Sequence, residues 1–287
     1  MKNTILKFLV VALAAVVILP VARAQMGQSQ GMGQSQGMGQ AQQGQAAPPA
    51  QTAPTPAVDP VEDTACKKVM GKSTDPKQVA SDSNDYLKKY PTGRCAGKVY
   101  AQLAMAYFQQ GDGDRAGAAA QKALQINAND PDALPVMAMV SGHQIGNPGP
   151  GQAQKIQQTE NYANQGINLL NALTKSSPEI SDADFTTQRD AKLAMCHSAL
   201  GLAYLFEAKG PLAVQHLTMA TKLENPPEPL DMYLLAVALD STGQFAQSVA
   251  DYEFACPKLT GEMQQRCIGL LAEERKKAPA QPPAPKQ

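Results

Sequence analysis

Most marks of an enzyme, a metalloprotein or a nucleic-acid binder are missing from this chain of 287 residues. Three histidines, His143, His197 and His216, fall on different expected helices, with no cysteine or carboxylate at metal-ligand spacing, so no metal site is expected. No Ser-His-Asp, Cys-His or nucleophile-elbow context occurs. Gly71-Lys72-Ser73-Thr74 matches the end of a phosphate-binding loop, but Cys66 stands where that loop needs glycine. Glu273 and Glu274 are neighbours on a helix and point apart, which is the pattern of a solvated face. The expectation is a protein without catalysis and without a cofactor.

Excess charge of either sign is also lacking. Lysine plus arginine number 25, as do aspartate plus glutamate. Removing Lys2, Lys7 and Arg23 with a leader would leave 22 against 25, a formal charge of −3. Without a basic stripe, nucleic acid is not an expected partner. Arg275-Lys276-Lys277 is short enough to be a solvated helix end.

Long apolar runs are reduced to one. Phe8 to Leu19 has twelve apolar residues, against the roughly 20 that a spanning helix needs. Lys2 and Lys7 precede it and Ala22-Arg23-Ala24 follows it, so residues 1–24 are expected to be a cleaved export signal. The mature chain would start at Gln25 and work in the periplasm or outside the cell, with no transmembrane segment. No cysteine near the cleavage site offers a place for a lipid.

Charge disappears altogether from residues 25 to 58, where Met-Gly-Gln-Ser-Gln-Gly repeats and then gives way to alanine and proline. Such a stretch buries too little apolar area to offset the entropy of ordering, so 25–60 is expected to be a tether and 278–287 a Pro-rich tail. Met26, Met32 and Met38, six residues apart, offer soft thioether sulfurs that suit Cu(I). A copper-binding tether is therefore a rival reading, as is a self-associating structural spacer.

Five cysteines are present and none forms Cys-x-x-Cys, which removes a thioredoxin-like redox role. Connectivity does not follow from sequence. Cys66 with Cys95 and Cys256 with Cys267 are the expected disulfides of an exported chain, each pair on neighbouring expected helices. Cys196 would remain as a small buried apolar residue.

What is plentiful is helical pattern, with no convincing period-two strand. Helices are expected over 61–70, 76–89, 96–110, 112–126, from Asp130-Pro131 to the Gly146–Gly151 breaker, and then over 152–175, 182–209, 212–223, 230–242, 245–255 and 259–276. A spacing of about 34 residues runs through them. Tyr100, Leu103, Ala104 and Tyr107 precede Gly111, Ala116, Ala120 and Ala123, and Leu134, Met137 and Ala138 repeat the first slots. His197, Leu200, Gly201 and Tyr204 precede Ala213, Leu217 and Ala220. Leu235, Ala236 and Leu239 then precede Gly243, Ser248, Tyr252 and Ala255. Small residues stand where helices would cross and large ones where a gap must be filled. A period of this size belongs to a solenoid.

This pattern resembles the tetratricopeptide repeat family over about 75–276, most specifically 97–128 and 194–260. Leu200-Gly201-x-x-Tyr204 with Ala213, Leu217 and Ala220 is the clearest copy, and His197 departs from it where the family favours a large aromatic. Tyr86-Leu87-Lys88-Lys89-Tyr90-Pro91 is similar to segments of bacterial envelope tetratricopeptide proteins of outer-membrane assembly and Tol-Pal systems. The resemblance implies an all-α solenoid of about four helical hairpins, the second with inserts, over 61–277. It also implies a scaffold whose groove, lined by the first helix of each hairpin, receives a segment of an envelope protein. Carried over, that groove holds Lys98, Met105, Phe108, Gln109, Met139, His143, Met195, Ser198, Leu202, Leu205, Phe206, Tyr233, Val237 and Asp240. The other arrangement open to these residues is that the inserts or the closing helix fold over and bury them. Pairing of the chain with itself is also left open.

Overall fold

Caps and breakers place the helices much where the sequence puts them. The computed structural model describes residues 59–71, 73–146, 149–175 and 180–277. The expected signal, the Met repeat with Met26, Met32 and Met38, and the Pro-rich tail lie outside the described residues. The eleven helices described are α1 Pro60–Val69, α2 Pro76–Lys89, α3 Ala96–Gln109, α4 Gly113–Ile126, α5 Ala133–His143 and α6 Gln152–Ala172. They continue with α7 Asp182–Phe206, α8 Gly210–Leu223, α9 Pro229–Ser241, α10 Phe245–Ala255 and α11 Gly261–Lys277. No strand occurs among the described residues.

Starts follow side-chain chemistry. Asp59 accepts from the amide of Val61 at 2.8 Å and Asp75 from Lys77 at 3.1 Å, each just before a proline whose missing N–H a first turn does not need. Asp112 and Ser181 cap α4 and α7 in the same way. Several boundaries differ from expectation by two or three residues: α6 ends at Ala172 and α7 at Phe206, and α8 starts at Gly210. Pro60 opens α1 rather than closing the tether. Asp130 caps a turn before α5, accepting from Asp132 at 3.0 Å and Ala133 at 2.9 Å, so the helix begins at Ala133.

Pairs α3–α4, α5–α6, α7–α8 and α9–α10 are hairpins, and the second helix of each packs on the helix that follows it. The small residues expected at crossings are buried there: Ala104, Ala116, Ala123, Ala213, Ala220, Ala236 and Ala255 are fully covered. At the α7–α8 crossing a β-carbon on Gly201 would lie 2.4 Å from Cγ of Leu217. The inserts lengthen the second hairpin: α6 packs between α5 and α7 as an ordinary second helix.

The ends of the stack are tied down. Cys66 is joined to Cys95 (Cα–Cα 6.0 Å) and Cys256 to Cys267 (Cα–Cα 5.4 Å), fixing α1 and α11. Beside the first bridge, Tyr86 donates to Glu62 at 2.9 Å, and Glu62 also accepts from the amide of Arg94 at 2.6 Å. Cys196 is buried, and burial pushes its thiol up to about 12, which keeps it unreactive.

One polar cluster lies inside. Asp231, at the start of α9, is buried with Ser198 of α7, which donates to it. Glu224 joins from the end of α8, and its carboxylate also accepts from the amide of Glu228 at 2.8 Å. Burial, and for Glu224 also the neighbouring charge of Asp231, raises both carboxyls above the ordinary range. Both therefore favour the protonated form more than free carboxyls do.

This packing can be tested at two glycines and at the carboxyl pair. Gly201→Ala gains about 1 kcal/mol of helix propensity but overpacks Leu217 at a cost of about 1–3 kcal/mol, so its melting temperature should fall. Gly269 on α11 has open space around its position, so Gly269→Ala should raise melting, and thermal denaturation of both variants separates the two effects. The carboxyl pair answers to pH. Above neutrality the native pair keeps a proton that the unfolded carboxyls have lost, so stability falls as pH rises. Between pH 7 and 8.5, where unfolded histidines have mostly lost their charge, the loss should approach ~1.4 kcal/mol per pH unit while the proton is retained. Urea titrations of Glu224→Gln/Asp231→Asn over that range should show a flatter dependence.

Candidate functional site

First helices of successive hairpins touch in series, α3 with α5, α5 with α7 and α7 with α9, and so form one continuous wall. The fourteen residues expected to line it divide into three groups. Lys98 and Gln109 are exposed on α3. Met105 and Phe108 of α3, Met139 and His143 of α5, Met195, Leu205 and Phe206 of α7, and Val237 of α9 are half-buried. They pack against the core and remain partly uncovered. The rings of Phe108 and His143 stack across α3 and α5, 6.4 Å between centres and 15° between planes. Beside them is a cleft of about 80 Å³, lined also by Gly111, Gly113, Asp114, Val140 and Gln144. Burial holds the His143 imidazole down to about 4, so it is neutral at pH 7 and serves as an apolar ring.

The remaining assignments need correction. Tyr233 is fully buried and meets Tyr252 of α10 at 5.9 Å between ring centres. It packs towards α10, in the core cluster that also holds Met263 and Cys267 of α11. Leu202, 5% exposed, belongs to the same core cluster, and Ser198, 3% exposed, is spent on Asp231. Asp240 is half-buried but already engaged, since Lys277 of α11 donates to it at 2.9 Å and to buried Glu274 at 2.6 Å. Lys277 at the end of the closing helix thus reaches the α9 end of the expected groove at Asp240, while the long α6 packs between α5 and α7 as a second helix.

One constellation escaped the sequence. Nδ1 of His197 on α7 and Nδ1 of His216 on α8 are 3.0 Å apart, with Tyr204 5.4 Å from His216 between ring centres. The two residues stand almost symmetrically about the turn at Glu207, and that symmetry is the signal that would have paired them. Burial lowers both imidazoles, His197 to about 4 with help from the charge of its partner. Among the described residues no group of three His, Cys, Asp or Glu is placed to hold a metal ion. No described helix is long and apolar enough to cross a membrane.

Comparison with known proteins meets this architecture at the first hairpin. The tetratricopeptide repeat model matches residues 97–130, which are α3, α4 and their flanks. A comparison with curated proteins gives no match. Among solved structures, the chain is similar to TTC0263, a thermophilic tetratricopeptide protein of Thermus thermophilus, at 14% identity over 75% of this chain and 99% of that one, with a TM-score of 0.46. It is similar to PilW, a widely conserved type IV pilus biogenesis factor, at 14% identity over 77% and 89%, with a TM-score of 0.49. It is also similar to pilF of Pseudomonas aeruginosa, at 13% identity over 75% and 86%, with a TM-score of 0.46. Nothing about function passes from likenesses so distant. With the matched repeat as the first of four stacked hairpins, the described residues form an all-α, tetratricopeptide-like helical-hairpin solenoid.

Proposed function

We propose that this protein is a non-catalytic adaptor of the bacterial cell envelope, which receives an apolar segment of a partner protein along the wall formed by α3, α5 and α7. The observation that carries this is the run of half-exposed Met105, Met139, Met195, Phe108, Leu205 and Phe206 on three successive first helices. Unbranched methionines adapt to irregular apolar shapes, and aromatic rings anchor them. Lys98 and Gln109 are the exposed polar groups at the α3 edge, and would set register. The leader-like sequence of residues 1–24 supports the envelope location, and the two disulfides suit an oxidising compartment.

Of the apolar groove residues expected on α9 only Val237 remains partly uncovered, so the binding strip is shorter than the sequence implied. It spans three hairpins and leaves Tyr233 and Asp240 to the closing layer. An extended or helical segment of two to three turns would fit such a length better than a long helix.

In-cell photocrosslinking from positions 105 and 195 of the full chain is the direct test. A recurring envelope protein attached at both supports the adaptor; crosslinks between copies of this chain alone would replace it with self-assembly. Phe206→Ala should cut the crosslink yield about 5- to 30-fold, equivalent to roughly 1–2 kcal/mol of binding, with melting within a few degrees of wild type. Tyr233→Ala should instead lose about 3–5 kcal/mol of stability, because it empties a fully buried site.

A further inference from the structure

His197 stands where the resembled family places a large aromatic, and with His216 it does more than fill that space. The ring centres of the two imidazoles are 5.2 Å apart and their Nδ1 atoms 3.0 Å apart. The difference, about 2.2 Å, amounts to two ring radii, so the nitrogens lie between the rings and point at each other almost in line. At 3.0 Å the contact is of hydrogen-bond length, made when one Nδ1 carries the proton and donates to the lone pair of the other. Both rings are half-buried, so the outer edge of the pair still reaches solvent.

We propose that His197 and His216 form a two-coordinate site for a monovalent coinage-metal ion of the Cu(I) class, held between the facing Nδ1 atoms. Two nitrogens in line supply the complete coordination of such an ion. They cannot supply that of Zn(II), which takes four ligands, and no third His, Cys, Asp or Glu joins them among the described residues. With metal–nitrogen bonds of about 2 Å, the nitrogens must part by ~1 Å, which side-chain torsions on a half-exposed edge provide.

Proton accounting favours the exchange. Metal ligation needs neutral imidazoles, each with a free lone pair. One ring starts with its proton on Nδ1. That proton moves through water to Nε2 of the same ring, after which each ring carries one Nε2–H and offers one Nδ1 lone pair. No proton is released overall and no deprotonation is needed. Tyr204, whose ring lies 5.4 Å from that of His216, walls one side of the pair.

Silver(I), which does not change oxidation state, is the probe. Titrating the metal-free full chain while following histidine ring nitrogens by NMR should move the Nδ1 signals of His197 and His216 together, saturating at one equivalent for this site. The Met26→Leu/Met32→Leu/Met38→Leu variant should keep that response. His216→Gln should bind one equivalent less, and so should His197→Phe, which restores the bulky ring and should retain wild-type helical content. Silver bound with those ring signals unmoved, or an unchanged count in His197→Phe, would overturn the site. Zn(II) moving the same signals with equal affinity would overturn the two-coordinate assignment.

Discussion

Every hairpin here rests on one constraint: two helices must approach closely enough that neither leaves its apolar face wet. A pair of 14-residue helices cannot enclose a core alone, and so each surface is finished by the next hairpin. The α7–α8 crossing shows the limit most sharply, because Gly201 leaves no room for a β-carbon beside Leu217. Alanine does the same work at the other crossings, where Ala104, Ala116, Ala213 and Ala236 are fully covered. This close approach seats the small residues inside each hairpin and leaves other side chains of α3, α5 and α7 half-uncovered along the wall.

From the same constraint comes the role of the last layer. A repeat stack has to stop, and its final face must be covered by something that is not another repeat. Here α11 does so, pinned by Cys256–Cys267 and by Lys277 reaching Asp240 and Glu274. Tyr233 and Tyr252 meet beneath it. A residue at one slot therefore lines the wall in an internal hairpin and belongs to the core in the terminal one.

That distinction explains how much was legible in the sequence. Helix limits followed from Asp-Pro starts, Gly turns and the Gly146–Gly151 breaker, whose effects act within a few residues. The spacing of Ala and Gly revealed the hairpins, since the crossing geometry repeats. Met105, Phe108, Met139 and Met195 are alike in being half-buried on successive first helices, because internal hairpins share one environment. Tyr233, Ser198 and Leu202 were misplaced because their neighbours come from α9, α10 and α11, and no local pattern announces a terminal layer. Ser198, Asp231 and Glu224 meet across two connections, so their spacings of 33 and 7 residues match no motif.

Two polar exceptions to this packing meet at the third hairpin. His197 faces His216 across α7 and α8, and Ser198, one residue on, faces Asp231 and Glu224 at the joint with the fourth. Successive helix positions point about 100° apart, so these two neighbours on α7 serve different contacts, one within the hairpin and one between hairpins. Apolar residues would fill both places at lower desolvation cost, and each polar group here is retained by a hydrogen-bonded partner. What such partners add is direction. A hydrophobic contact tolerates sliding, whereas Nδ1 against Nδ1 and hydroxyl against carboxyl hold one register. The third hairpin, whose register these partners fix, also carries Met195, Leu205 and Phe206, half of the apolar residues that form the wall.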